Sequence, residues 1–244
     1  MKKALLALSI LILASLACQT LTGGTSEPPV TIPTSVPPIN NPTSVPPVNN
    51  PTSAPPSGGG GAILFQDDFS DSSSGWPHQV GDSDKAAEYS NGQYLVRAIT
   101  AYQDVWAHPG LSFSDVSIEV DATKSNGPDD NNFGLICRFV DDGNFYFFWV
   151  SSDGFFAIGK YQNGESSLIS GDSMLATSAM NAGNVTNHLR ADCVGSALTL
   201  YANGELLSTV TDSSFSSGDI GVMVGTFEQP DLGILFDNFV VRAP

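Results

Sequence analysis

The sequence predicts an all-β domain built as a two-sheet antiparallel sandwich, and three observations carry that prediction. The first is a series of short β-rich runs without a sustained helical period. The second is a set of tight-turn pairs between the runs: Asn91-Gly92, Asp142-Gly143, Asp153-Gly154, Asn163-Gly164 and Asn203-Gly204. Such pairs supply positive φ at little steric cost and mark hairpins. The third is a change of composition near residue 62, where Pro, Thr, Ser and Gly give way to β-branched and aromatic residues.

Residues 1–17 read as a signal peptide. Lys2 and Lys3 form a positive start, Ala4 to Leu13 an apolar stretch too short to span a bilayer, and Ser15 and Ala17 the small residues of a cleavage site. Cys18 follows the cut directly. That arrangement resembles the lipobox of bacterial lipoproteins, in which this cysteine receives the lipid anchor, although Ser15 stands where Leu is usual. The expected location is the bacterial cell envelope, lipid-anchored and outside the cytoplasm; plain secretion is the alternative.

Residues 18–61 form the lipidated N-terminus and a linker. A nine-residue repeat runs from Pro33 to Asn41, again from Pro42 to Asn50, and in degraded form from Pro51. Its Pro-Pro steps favour extended polyproline II and supply few backbone donors, so no packed core is expected here. At ~3.1 Å per residue, such a stalk reaches on the order of 100 Å, with Gly58 to Gly61 as a joint. A Pro-rich ligand for a partner is the rival reading.

Residues 62–244 carry the domain. Its strand runs are Ile63–Phe65, Gln93–Ile99, Val116–Ala122, Phe133–Val140, Phe145–Val150, Phe155–Tyr161, His188–Val194, Ala197–Ala202, Leu206–Val210, Ile220–Val224 and Ile234–Val241. Met174 to Met180 is compatible with one or two helical turns. The full chain has 9 Lys+Arg and 25 Asp+Glu; losing Lys2 and Lys3 leaves 7 − 25 = −18. That charge repels nucleic acid and anionic headgroups. With Cys18 lipidated, Cys137 and Cys193 remain as an even pair in an exported chain and read as one disulfide, with two buried thiols as the alternative. A monomer is expected.

The order Asp67-Asp68-Phe69, Gly75-Trp76, Asn91-Gly92-Gln93-Tyr94-Leu95, Val116 to Asp121, Phe133 to Arg138, Leu198 to Gly204 and Phe236-Asp237-Asn238-Phe239 resembles the concanavalin A-like lectin/glucanase jelly roll. It is most similar to laminin-G-like and 3-keto-disaccharide-hydrolase-like domains, over about residues 63–242. The resemblance implies a jelly-roll sandwich that displays a carbohydrate- or ligand-binding surface toward an extracellular glycan. It also leaves open a sugar-active hydrolase or a structural and adhesion spacer, because one fold hosts many functions.

Counting across Asp142-Gly143 as a two-residue turn pairs Arg138 with Phe147, Ile136 with Trp149 and Cys137 with Phe148. The same count across Asp153-Gly154 sets Trp149 beside Ile158 and Phe147 beside Lys160. Alternation then gives Arg138, Phe147, Trp149, Ile158 and Lys160 one open face and Leu135, Cys137, Tyr146, Phe148 and Val150 the core. A three-residue turn would swap these faces. Glu119 and Asp121 alternate with the apolar Val116, Ile118 and Val120 and are expected on the same open face. Aromatic rings stack on sugar C–H faces while charged groups bond hydroxyls, so these residues are the candidate ligand contacts. Ordinary sheet surface is the competing reading.

Catalytic signals are sparse. Laminarinase-like relatives carry Glu-x-Asp-x-(x)-Glu, and Glu119-Val120-Asp121-Ala122-Thr123-Lys124 matches only the first two acids. A lysine does not replace a carboxyl that donates and then accepts a proton. His78, His108 and His188 are scattered, and no nucleophile elbow or zinc motif occurs. The function is therefore expected to lean away from catalysis. Calcium is the one cofactor considered, because Asp129-Asp130-Asn131-Asn132 and Asp141-Asp142 are oxygen-rich, although such clusters are also ordinary turn chemistry.

Overall fold

The computed structural model describes residues 60–81 and 85–244. The signal peptide, Cys18 and the linker up to residue 59 lie outside the described residues. The strands are β1 (Ile63–Asp67), β2 (Gln79–Gly81), β3 (Lys85–Ser90), β4 (Gln93–Ala98), β5 (Asp104–Ala107), β6 (Val116–Asn126), β7 (Asn131–Asp141) and β8 (Asn144–Val150). They continue with β9 (Phe155–Gln162), β10 (Glu165–Leu168), β11 (Leu175–Ala176), β12 (Thr186–Val194), β13 (Ala197–Ala202), β14 (Glu205–Thr211), β15 (Asp219–Thr226) and β16 (Leu232–Arg242).

Two antiparallel sheets form a jelly-roll sandwich. One has nine strands in the order β14-β13-β12-β6-β16-β4-β3-β2, with β1 beside β16. The other has seven in the order β10-β9-β8-β7-β15-β5, with β11 beside β9. Three of the predicted turns are two-residue hairpins with positive φ at both positions: Asn91-Gly92, Asn163-Gly164 and Asn203-Gly204. The segment Met174–Met180 holds the short strand β11 rather than helical turns.

Alternation fills the space between the sheets. Ile118, Val120 and Ala122 from β6 meet Leu135, Cys137, Tyr146, Phe148 and Val150 in one buried cluster. At one end, Phe69, Trp76, Tyr94 and Phe239 nest with ring centroids 5.0–5.3 Å apart. Burying each such ring contributes about 2–3 kcal/mol. The Asp67-Asp68-Phe69 motif therefore has a structural job. Asp67 Oδ1 accepts the Phe69 N–H at 2.7 Å and holds that residue at φ 53°, turning its ring into the nest.

Cys137 on β7 and Cys193 on β12 form the expected disulfide, with Cα atoms 6.9 Å apart. Because β7 and β12 belong to different sheets, the bridge crosses the sandwich.

Candidate functional site

Two local features set which side chains reach the outer face of the seven-stranded sheet. The Asp141–Asn144 pair forms as counted, but β7 then carries two extra residues, so Cys137 faces Tyr146 and Ile136 faces Phe147. A shift of two preserves the face of Ile136, Phe147 and Trp149. It removes Arg138, which sits in the bulge at φ 52°. The β8–β9 connection is a three-residue turn, with Ser151 N–H bonded to Phe155 O at 2.8 Å and Gly154 at φ 91°. Trp149 therefore faces Ala157, Phe147 faces Gly159, and Ile158 turns into the core opposite Phe148.

The expected open face is corrected on four counts. Arg138 is 2% exposed and donates to Ser114 O, Phe215 O and Asp115, so it clamps loops at the end of the sandwich. Lys160 lies opposite Tyr146 and pairs with Asp212 at 2.8 Å. Burial pushes the Asp212 carboxyl upward, but bonds from Lys160, Tyr146 and Ser214 outweigh it and hold the group well below the usual range. Phe147 and Trp149 do share the predicted face, yet they are 0% and 8% exposed and stack on each other at 3.9 Å. Glu119 and Asp121 lie on β6, in the other sheet, and face outward from the opposite side of the sandwich.

Phe147 and Trp149 are buried because this face is concave. Tyr161 on β9 donates its hydroxyl to Asp104 on β5, although β8, β7 and β15 stand between those strands. Side chains from opposite sides of the sheet thus meet over the middle. Trp106, Phe145 and Tyr161 form a ring cluster with centroids 4.8–5.9 Å apart. Together with Ile136, Phe139, Phe147, Trp149 and Met223 they make a second apolar cluster. Gly134 lies between Trp149 and Met223 in the cross-strand row, where a Cβ would collide with Phe148 O, and the indole N–H bonds Met223 Sδ at 3.0 Å.

A cleft of about 420 Å³ remains at the β5 edge of this face, lined by Asp104, Trp106, His108, Asp142 and Pro77. On β5, Val105 and Ala107 point into the core while Asp104 and Trp106 point outward. Trp106 Nε1 donates to Asp142 Oδ1 at 3.2 Å, which fixes the indole plane. His108 Nδ1 lies 2.7 Å from Asp219 Oδ2, and its ring rests on Phe139 at 4.2 Å. Burial raises the Asp104 carboxyl, opposed by hydrogen bonds from Tyr161 and Asn132. An indole beside carboxylates can stack on a sugar ring and accept its hydroxyls.

Sequence reasoning missed this strand. Asp104-Val105-Trp106-Ala107 is only four residues long and is followed by His-Pro-Gly. The available signals were its alternation and the glycines inside β-runs, Gly134, Gly159, Gly221 and Gly225, which mark close approach.

The outer face of the nine-stranded sheet holds Glu119 and Asp121 in a satisfied network. His188 on β12 places Nδ1 2.8 Å from Asp121 Oδ1 and Nε2 3.7 Å from Glu119 Oε2. Asn238 donates to Asp121 Oδ2 at 3.0 Å. The bonds to Asp121 and then Glu119 push His188 up to about 9, and the same His188 bond lowers Asp121. Arg190 chelates Asp192 at 2.8 and 2.9 Å and lies 4.9 Å over the Tyr201 ring. Lys124, in the place of the missing catalytic acid, is buried and bonded to Asp129 and Gly127 O. Asp141 Oδ1 accepts Gly143 N–H and Asn144 Nδ2 in its turn. Among the described residues no group of three or more His, Cys, Asp or Glu side chains is arranged to hold a metal ion.

No family model matches the chain, and no curated protein matches it. Among solved structures it is similar to the carbohydrate binding module CBM66 from Bacillus subtilis, at 23% identity and a TM-score of 0.57, covering 69% of this chain and 96% of that one. It is similar to a Bacillus subtilis protein of unknown function with a galectin-like fold, at 10% identity and TM-score 0.56, covering 75% and 96%. It is also similar to the Bacillus licheniformis beta-glucanase, at 11% identity and TM-score 0.53, covering 74% and 97%. The fold is the concanavalin A-like lectin/glucanase jelly roll.

Proposed function

We propose that the domain is a non-catalytic carbohydrate-binding module, held at the cell envelope by a lipidated Cys18 and the Pro-rich linker. The observation that carries the binding reading is the cleft at β5, where the Trp106 indole stands beside Asp104, His108 and Asp142 on the concave face. The fold shared with a carbohydrate binding module supports it. The positive start, short apolar run and small residues before Cys18 support the anchor.

A glycan array, run with and without calcium, tests the first part. The wild-type domain should retain a subset of glycans, and Trp106→Ala should lose them while still melting cooperatively. Equal retention by the variant, or no retained glycan, overturns the reading. Mass spectrometry of membrane-extracted protein tests the second. An acylated N-terminal peptide beginning at Cys18 is expected, and an unmodified Cys18 in freely released protein rejects the anchor.

A further inference from the structure

We infer that the domain carries a second sugar-binding site, in a cleft of about 520 Å³ at the end of the seven-stranded sheet where β7 begins, β8 turns into β9 and β15 ends. The inference rests on the carbohydrate-binding reading and adds to it a separate contact for a neutral sugar, with Phe155 as the residue that stacks on it. The first observation is the ring itself. On β9, Phe156 and Ile158 fill the core, so Phe155 and Tyr161 point to the concave side. Phe147 and Trp149 on that face are 0% and 8% exposed, whereas Phe155 is 39% exposed. It lines the cleft together with Met174 and Phe227. Three apolar side chains thus share one opening, where a single exposed ring would be ordinary surface.

The second observation is the polar part of the lining. Asp130, Ser151, Asp153 and Ser173 set oxygen atoms beside those apolar side chains, and among the described residues no lysine or arginine lines the cleft. A sugar ring has an apolar C–H face and hydroxyl groups at its rim, so it uses both kinds of lining at once. A purely apolar ligand would strip water from the oxygens and return no hydrogen bond. A sugar bearing a carboxylate would meet two aspartates and no cation. The class selected is therefore a neutral sugar.

The third observation is that the walls are braced from inside. Asn131 is 0% exposed; its Nδ2 donates to Pro128 O at 2.6 Å and to Ser152 Oγ at 3.0 Å, and its Oδ1 accepts the Ser152 N–H at 3.2 Å. One buried amide thus ties the turn before β7, which carries Asp130, to the turn that carries Ser151 and Asp153. Phe155 N–H donates to Ser151 Oγ at 3.2 Å. Ala176 pairs with Phe155, and Thr177 N–H donates to Gly154 O at 2.8 Å, which anchors the segment bearing Ser173 and Met174. A site built before its ligand arrives loses little freedom on binding. Met174 also packs on the apolar cluster of the concave face, so the cleft borders that face.

The test adds immobilised cellohexaose, laminarihexaose, xylohexaose, mannohexaose and hexagalacturonic acid to the glycan array. The wild-type domain should retain at least one neutral hexasaccharide and not the uronate. A surface that engages two sites of one molecule holds it far more strongly than either site alone, so Phe155→Ala should weaken that retention roughly tenfold or more. The variant should melt with the wild type, because an exposed ring leaves no void behind. Amide NMR then separates the sites: in the Trp106→Ala domain, the retained hexasaccharide in solution should still move the Phe155 and Ser173 signals. Equal retention by Phe155→Ala, or no movement of those two signals, overturns the second site and leaves the β5 cleft standing. Retention of hexagalacturonic acid that Phe155→Ala abolishes overturns the neutral class. Retention elsewhere on the array without any of the four neutral hexasaccharides also overturns the inference and leaves carbohydrate binding standing. An array with no retained glycan at all overturns both.

Discussion

Truncating Trp149 opens a void, because its indole is buried against Phe147 and Met223 on the concave face. Trp149→Ala should cost about 3–5 kcal/mol and lower the melting temperature by roughly 10 °C. A calorimetric melt reads this directly, and a loss below about 1 kcal/mol would mean that the ring is exposed. His188 sets a pH signature at the same scale. Its folded value of about 9 stands above the ordinary 6.5 because it bonds Asp121 and lies close to the Glu119 carboxylate. A raised value means that the stabilising contribution is complete below pH 6.5 and is lost as pH rises toward 9. Melting temperature should fall across that window. His188→Gln should flatten the slope and lower stability at about pH 6 by about 1 kcal/mol. An unchanged slope would mean that this histidine is neutral in the folded protein.

Arg138 shows how one bulge organises an element. The two extra residues in β7 turn its guanidinium inward, where Nε and Nη1 bond two loop carbonyls and Nη2 bonds Asp115. Arg138→Ala leaves those carbonyls without a donor and should cost about 2–4 kcal/mol. Arg138→Lys should not restore stability, since an ammonium on a flexible stem lacks the planar fork that spans all three acceptors. Chemical denaturation of both variants checks this, and rescue by lysine would reduce the role to charge alone. The bulge also explains what was legible beforehand. The long alternating runs and the Asn-Gly hairpins are local, so β4, β6, β7, β8, β12 and β13 and the inner face of β7 and β8 could be read directly. Arg138 and Lys160 were misplaced because a bulge and a three-residue turn leave no distinct mark in a hydrophobic pattern. Asp104 and Trp106 were overlooked because β5 is short and acquires meaning only when the sheet curls Tyr161 over to it.

At the scale of the molecule, two sheets with different outer faces are held as one body by a large shared core and one covalent crossing. The concave face closes on its own aromatics and keeps a cleft at β5, while the opposite face ties its charges to one another. The Cys137–Cys193 bridge joins the sheets from inside, with both cysteines fully buried. It links positions 56 apart in sequence and encloses β8 to β11, the strands that carry Phe147, Trp149 and Tyr161. In the unfolded chain the same link removes conformational freedom, so Cys137→Ala with Cys193→Ala should cost about 2–4 kcal/mol. Reductant should lower the melting temperature of the wild-type domain and leave that of the double variant unchanged. Glycan affinity below the melt should be nearly unaltered, because the bridge lies on the inner side of β7 while Trp106 and Asp104 face outward from β5. A variant that stays folded yet loses glycan binding would show that the bridge sets the curvature of the concave face as well as its stability.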